Sequence, residues 1–200
     1  RRFLERIYHL LHNYFYDHTI VLNSSNFIYF LNKKVNKLSN ISILPGTGIN
    51  TKFFKFKPRY EIDLNKHYVT MISRLNSLKG IYDFLALVYI SSFIFKNKTQ
   101  KSIKYRLVVP SKDLNKLDKI LKGNIIIKKN LIIESYSIDV REIYDSSLCL
   151  VHPTLYGEGL PRIYLEAAAT GVPVITTKNP GYVDFYEDYK TALIVESNNP

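Results

Sequence analysis

Two hundred residues with 46% apolar content are enough for one or two domains, each with a core. The single cysteine, Cys149, excludes a disulfide framework and fits a reducing compartment. The formal charge of +11 is lopsided: residues 1–100 carry 15 Lys/Arg against 5 Asp/Glu, and residues 101–200 carry 13 against 12. A basic amino-terminal half can face anionic lipid, phosphate or nucleic acid, although general enrichment in Lys, Asn and Ile explains it equally well. No nucleic-acid recognition motif or interleaved aromatic-basic platform accompanies the charge, so nucleic acid is not expected as a partner.

In chain order, "RRFLERIYHLLHNYFY" repeats its apolar residues with a helical period. His9 and His12 have metal-like spacing on it, but no Cys or carboxylate cluster supports a site, and no metal is expected. "HTIVLNSS" reads as a short strand entering a turn, "SNFIYFLNKKV" as a second helix, and "ISILPGTGIN" as a strand running into a glycine-rich turn. From Thr51 to Lys66 the chain is basic and lacks clear periodicity, which marks a linker. "HYVTMISRL" is a strand, "NSLKG" a turn, and residues 80–95 a helix packed on a sheet. Its run "FLALVYISSFIF" is too short to span a bilayer. "KYRLVVP" is a strand, "KDLNKLDKILKG" a charged helix, "NIIIKKNLIIESYS" strand structure, "DVREIYDSS" a short helix, and "LCLVHPT" a strand. Cys149 in that apolar strand reads as a buried structural thiol. From residue 67 onward strands alternate with helices. This predicts a Rossmann-like parallel sheet with its ligand at the carboxyl ends of the strands.

"LVHPTLYGEG" leaves such a strand end directly into "GEGLPRIYLEAAATGVPVITT". Gly157 and Gly159 allow a tight backbone path around Glu158, Pro161 suits the first turn of a helix, and Gly171 is a left-handed stop. The reading is a loop through Gly159, a helix over about 160–170 and a strand over about 173–177. Glu166 then lies roughly 7–8 Å along the axis from the helix start, and the N–H groups of Gly159 and Leu160 open an anion site. One ligand with hydroxyls at both ends and phosphate between them could meet Glu158, the helix start and Glu166. A nucleotide sugar has that shape. The spacing alone more often marks two solvated carboxylates. What favours a site is "MISRLNSLKG", which puts Arg74 at a second strand end and Lys79 just before a helix, where two cations would clamp a diphosphate.

Together "ISRLNSLKG" and "LYGEGLPRIYLEAAATGVPVITT" resemble the carboxyl-terminal domain of the GT-B glycosyltransferases of family 4, the retaining group with an E-x7-E motif. "ILPGTGIN" resembles the segment leading into that domain. The likeness runs from about residue 15 to 197 and is greatest to bacterial enzymes of surface-polysaccharide synthesis.

The resemblance implies a GT-B α/β fold. Residues 1–45 would be a remnant of the amino-terminal, acceptor-side domain, 46–66 an interdomain linker, and 67–200 the nucleotide-sugar domain cut before its last helix. It implies transfer with retention from a nucleoside diphosphate sugar, of UDP type, to a lipid-linked or polysaccharide acceptor, without cofactor or metal. The expected location is cytoplasmic, at the inner face of the membrane where association is peripheral. Arg74 and Lys79 would neutralise the diphosphate and, with Glu158, form the catalytic set. Glu158 would hold the sugar, Glu166 the ribose, and Gly159 and Leu160 would offer N–H groups to phosphate. Pro110 and Ala192 stand where the family usually has glycine. The alternative expectation is therefore a truncated or degenerate relative that keeps the fold without transfer. With the chain starting at Arg1 and ending at "VESNNP", the 200 residues are expected to be a piece of a longer protein that does not turn over by itself.

Overall fold

The computed structural model describes residues 2–33, 40–58, 62–94, 103–136, 139–179 and 184–197. The chain divides into two compact units. One comprises Arg1–Gly48, Gly157–Arg162 and Asn179–Tyr186; the other comprises Ile49–Tyr156, Ile163–Lys178 and Glu187–Pro200.

The first unit holds helix α1 (Arg2–Phe15), strand β1 (Thr19–Val21), helix α2 (Ser24–Asn32) and strand β2 (Ile41–Ile43). Its two strands pair in parallel, with Thr19 opposite Ile41 and Val21 opposite Ile43. Asn23 starts α2 because its side chain accepts the Asn26 N–H at 2.8 Å, satisfying one orphan donor of the first turn. Both helices and both strands lie where the apolar patterning puts them. The side chains of His9 and His12 lie outside the described residues.

The second unit is built on six strands: β3 (Tyr68–Ile72), β4 (Lys104–Val109), β5 (Leu131–Ser135), β6 (Ser147–His152), β7 (Val174–Thr177) and β8 (Leu193–Val195). Their spatial order is β5-β4-β3-β6-β7-β8, and every neighbouring pair is parallel. The Rossmann-like sheet expected from the alternating pattern is therefore the one present. The order reverses between β3 and β6, and in such sheets ligands bind outside the carboxyl ends of the strands at that reversal.

Helices α3 (Ile81–Ile94), α4 (Leu114–Ile120), α5 (Ile125–Asn130), α6 (Arg141–Asp145) and α7 (Arg162–Thr170) complete the chain. Helix α3 buries Ile81, Phe84, Leu85, Val88 and Ser91, a 3–4 residue spacing that makes one stripe. That stripe joins Met71 of β3, Leu107 and Val109 of β4, and Leu117 of α4 in the main core. Among the described residues no helix is long and apolar enough to cross a membrane.

Three details depart from the sequence reading. The stretch from Asn124 is not all strand: Asn124 accepts the Ile127 N–H at 3.0 Å and starts α5, and the strand begins only at Leu131. A side-chain cap outweighs the β-propensity of three isoleucines there. Strand β8, from "LIV", was too short to stand out as a periodic segment. Within the segment read as linker, Phe54 is buried and lies edge-to-face on Tyr144 of α6, so part of that segment belongs to the core. Cys149 is mostly buried in β6, and burial pushes its thiol up to about 11, as expected of an inert structural cysteine. Pro180 and Gly181, read as part of a turn, lie outside the described residues.

Candidate functional site

The carboxyl end of β3 leads through Ser73 to Arg74, Leu75 and a single 3-10 turn, Ser77–Lys79. Asn76 caps that turn by accepting the Leu78 N–H at 3.0 Å, and Asp113 fixes the entry by accepting the Leu75 N–H at 3.0 Å. Gly80 ends it with φ +74, and a Cβ built there would lie 2.0 Å from the Pro153 carbonyl oxygen. Only glycine fits so close a backbone approach in that conformation. The same two loops are tied again where Leu155 N–H donates to the Leu78 carbonyl at 2.9 Å. The two strand ends flanking the sheet's reversal are thus held against each other by backbone.

This lock sets the cations. Arg74 is exposed, whereas Lys79 is half-buried with its Nζ 5.4 Å from the centroid of the Tyr156 ring. Burial, and secondarily the positive charge of Arg74, hold the Lys79 amine below its ordinary value. A lysine whose charge is disfavoured in this way at a strand end is stabilised by an incoming polyanion. An arrangement of this kind can serve as a phosphate clamp.

Glu166 is buried on α7, 8% exposed, and accepts the Tyr144 hydroxyl at 2.6 Å. Tyr136, just past β5, links it electrostatically to Arg74. Burial raises the Tyr136 phenol first, then Arg74 lowers it, while Asp113 and Glu166 raise it. Arg74 and Glu166 therefore both act on one phenol at the carboxyl side of the sheet. Of the residues expected from sequence, Arg74 thus acts on Lys79, and Arg74 and Glu166 act on a common tyrosine. Tyr136, Tyr144 and Tyr156 were not chosen, because an isolated tyrosine carries no spacing signal.

Glu158, Gly159 and Leu160 belong to the first unit. The Glu158 carbonyl accepts the Asn23 Nδ2–H at 3.0 Å, and Asn23 is itself buried. A Cβ on Gly159 would lie 2.5 Å from the Leu22 Cδ1, so the loop packs where a side chain would not fit. The helix opens later than expected: α7 begins at Arg162, and Gly159 and Leu160 precede Pro161. The residue before a proline is pushed out of the α region, which keeps Leu160 outside the helix. Their N–H groups therefore sit in a bend rather than in the first helical turn.

Beneath the β6 strand end lies a polar network that the sequence did not reveal. His152 Nδ1 and the Tyr164 hydroxyl are 3.0 Å apart, Tyr164 and Thr176 hydroxyls 2.6 Å apart, and the Thr176 hydroxyl donates to the His152 carbonyl at 3.1 Å. Burial, with a smaller contribution from Lys79, holds the His152 imidazole down at about 3. The unfolded chain protonates this histidine near pH 6.5, while the folded chain does not until about pH 3. The unfolded state thus binds the extra proton across that interval. The stabilisation is present above pH 6.5 and is lost as pH falls toward 3, at up to about 1.4 kcal/mol per pH unit. Thermal melts of the wild type and His152→Asn between pH 7.5 and 4 should show the shallower pH slope in the variant; equal slopes would overturn the assignment.

The comparisons with known proteins bear on the family and the fold. A family model for glycosyl transferases group 1 matches residues 52–200. The capsular polysaccharide biosynthesis glycosyltransferase CapM of Staphylococcus aureus is 26% identical over 172 residues, which cover 83% of this chain and 44% of CapM. Among solved structures, TarM, also known from S. aureus, aligns with a TM-score of 0.77 at 20% identity, over 98% of this chain and 36% of that one. Anabaena Alr3699/HepE in complex with UDP and glucose aligns with a TM-score of 0.73 at 15% identity, over 97% of this chain and 53% of that one. The chain thus spans less than half the length of the curated relative it matches. The structural likenesses bear on the fold, and the match from residue 52 to the last residue covers most of the chain: the chain belongs to the glycosyl transferases group 1.

Proposed function

We propose that this chain is the donor-binding part of a retaining glycosyltransferase of family 4, moving a sugar from a UDP-sugar to a glycan or lipid-linked acceptor in surface-polysaccharide synthesis. The observation that carries the reading is the cation pair Arg74 and Lys79 at the reversal of an all-parallel sheet, in a chain with the E-x7-E motif. UDP-glucose and UDP bound to Alr3699/HepE, and the polysaccharide role in the name of CapM, support the substrate classes. A lipid-linked acceptor would bring the protein to the inner face of the membrane. Residues 1–45 are assigned to the acceptor-side domain, 46–66 to the connection and 67–200 to the donor domain.

The assigned chemistry is electrostatic. Cleavage of the sugar–phosphate bond leaves charge on the departing diphosphate, and Arg74 and Lys79 stabilise it. Backbone N–H groups of Gly159 and Leu160 serve the same phosphate. Glu158 holds hydroxyls of the transferred sugar and Glu166 the ribose hydroxyls. The leaving phosphate assists attack on the same face of the sugar, which retains configuration and requires no metal.

The division of labour between the glutamates is the test. Glu166→Ala should weaken UDP and UDP-sugar alike, by about 1–3 kcal/mol for lost hydrogen bonds to a charged group. Glu158→Ala should spare UDP and weaken only the intact donor. Calorimetric titration with UDP and a panel of UDP-sugars separates the two effects. Equal losses on both ligands in both variants would refute the assignment.

A further inference from the structure

Glu166 does not stand alone. Tyr144 of α6 is fully buried at 0% exposure, and its hydroxyl donates to Glu166 Oε2 at 2.6 Å. An O–H given to a carboxylate is charge-assisted and shorter than a neutral bond. The ring is held as firmly as the hydroxyl. Phe54 lies edge-to-face against it with centroids 6.0 Å apart and an 84° interplanar angle. The short helix that carries it is itself fixed to the sheet, because Arg106 of β4 donates from Nη2 to the Ile143 carbonyl at 2.5 Å and from Nη1 to the Ser146 hydroxyl at 2.9 Å. On the other side the Glu166 carbonyl accepts the Thr170 hydroxyl at 2.8 Å within α7.

We propose that Tyr144 is a positioning residue for Glu166, presetting its carboxylate for the donor's ribose diol; this rests on the ribose assignment made above. A glutamate has three side-chain torsions, and fixing them only when ligand arrives costs rotamer entropy. A rigid, buried phenol that already holds one carboxylate oxygen removes much of that cost. Tyr144 touches no substrate in this account. It acts through Glu166, so its effect is confined to ligands that carry the ribose hydroxyls.

The experiment compares UDP with 2′,3′-dideoxy-UDP, which lacks those hydroxyls, on wild type, Tyr144→Phe and Glu166→Ala. Tyr144→Phe keeps the ring against Phe54 and deletes only the donor. It should raise the Kd for UDP about tenfold and leave that for the dideoxy nucleotide within about twofold. Replacing Tyr144 with 4-aminophenylalanine, which restores an N–H donor, should recover most of the UDP affinity. Equal weakening of both ligands by Tyr144→Phe, or no weakening of either, overturns the positioning role while Glu166→Ala still weakens UDP. Unchanged UDP binding in Glu166→Ala overturns the ribose assignment and this proposal with it. If the phenylalanine variant fails to fold, 3-fluorotyrosine at the same position provides the readout. Its 19F resonance should move on addition of UDP and not on addition of the dideoxy nucleotide, and a resonance indifferent to UDP overturns the proposal.

Discussion

On the proposed function, replacing Lys79 with alanine in the full-length protein is expected to lower sugar transfer by about 10²–10³-fold, the range found when a preorganised donor to a developing anion is deleted. Lys79 has two features that an ordinary surface lysine lacks. Its amine is partly desolvated, so an anion meeting it gains more than it would from a fully hydrated ammonium. It also sits on a turn that cannot drift, because Gly80 abuts the Pro153 carbonyl and Leu78 receives the Leu155 N–H. Arg74 is exposed and therefore more screened, so Arg74→Ala should cost less, about tenfold, with the loss growing at low salt. The two substitutions should not be additive. Arg74 lowers the Lys79 amine's preference for its charged form, so removing Arg74 relieves Lys79. Steady-state rates with a UDP-sugar donor, at two ionic strengths, check all three statements. Transfer by Lys79→Ala within threefold of wild type would remove Lys79 from the catalytic set.

The sheet was legible because its strands are long enough to show a pattern and are punctuated by turn chemistry. "HYVTMISRL", "KYRLVVP" and "LCLVHPT" all became strands, and the helices between them fixed the parallel arrangement. What was misread is local. Three consecutive isoleucines suggested strand at 125–127, yet Gly123 at φ +85 and the Asn124 cap turn them into a helix. Helix α7 starts at Arg162 rather than at about 160 because Pro161 restricts the residue before it, a constraint that helix propensity does not carry.

The site was half legible for the same kind of reason. Charged residues beside glycine at strand ends announce themselves, and Arg74 does act on Lys79 and, with Glu166, on Tyr136. The residues that hold them do not. Tyr144 lies 22 positions before its carboxylate partner, and Pro153 lies far along the chain from Gly80. Such pairings depend on strand order, which alternation implies only as a class of topology.

The largest stability effect is expected at Arg106, which in the sequence is one position of a strand and nothing more. It is only 4% exposed in the middle of β4, with Thr70 of β3 beside it in register. Its guanidinium donates to Ser146, Thr70, Ile143 and Ser147 at 2.9, 3.2, 2.5 and 3.1 Å, and lies 4.9 Å over the Tyr68 ring. Those acceptors are neutral dipoles, and Nε has no hydrogen-bond partner among the described residues. Burial holds its pKa below the ordinary value, against a smaller opposing pull from Glu134. The fork thus clamps β3, β4, the start of β6 and the end of α6 in one polar knot. Deleting it leaves a cavity together with acceptors that lose their donor, and Arg106→Ala should cost about 3–5 kcal/mol. Arg106→Met refills the volume and removes the charge that was desolvated, so it should cost clearly less than alanine. Arg106→Lys keeps the charge without the fork and should fall closer to alanine than to wild type. Denaturant unfolding of the three variants decides among these. Alanine within about 1 kcal/mol of wild type would mean that the knot contributes little, and methionine no better than alanine would mean that the lost donors, rather than the volume, set the cost.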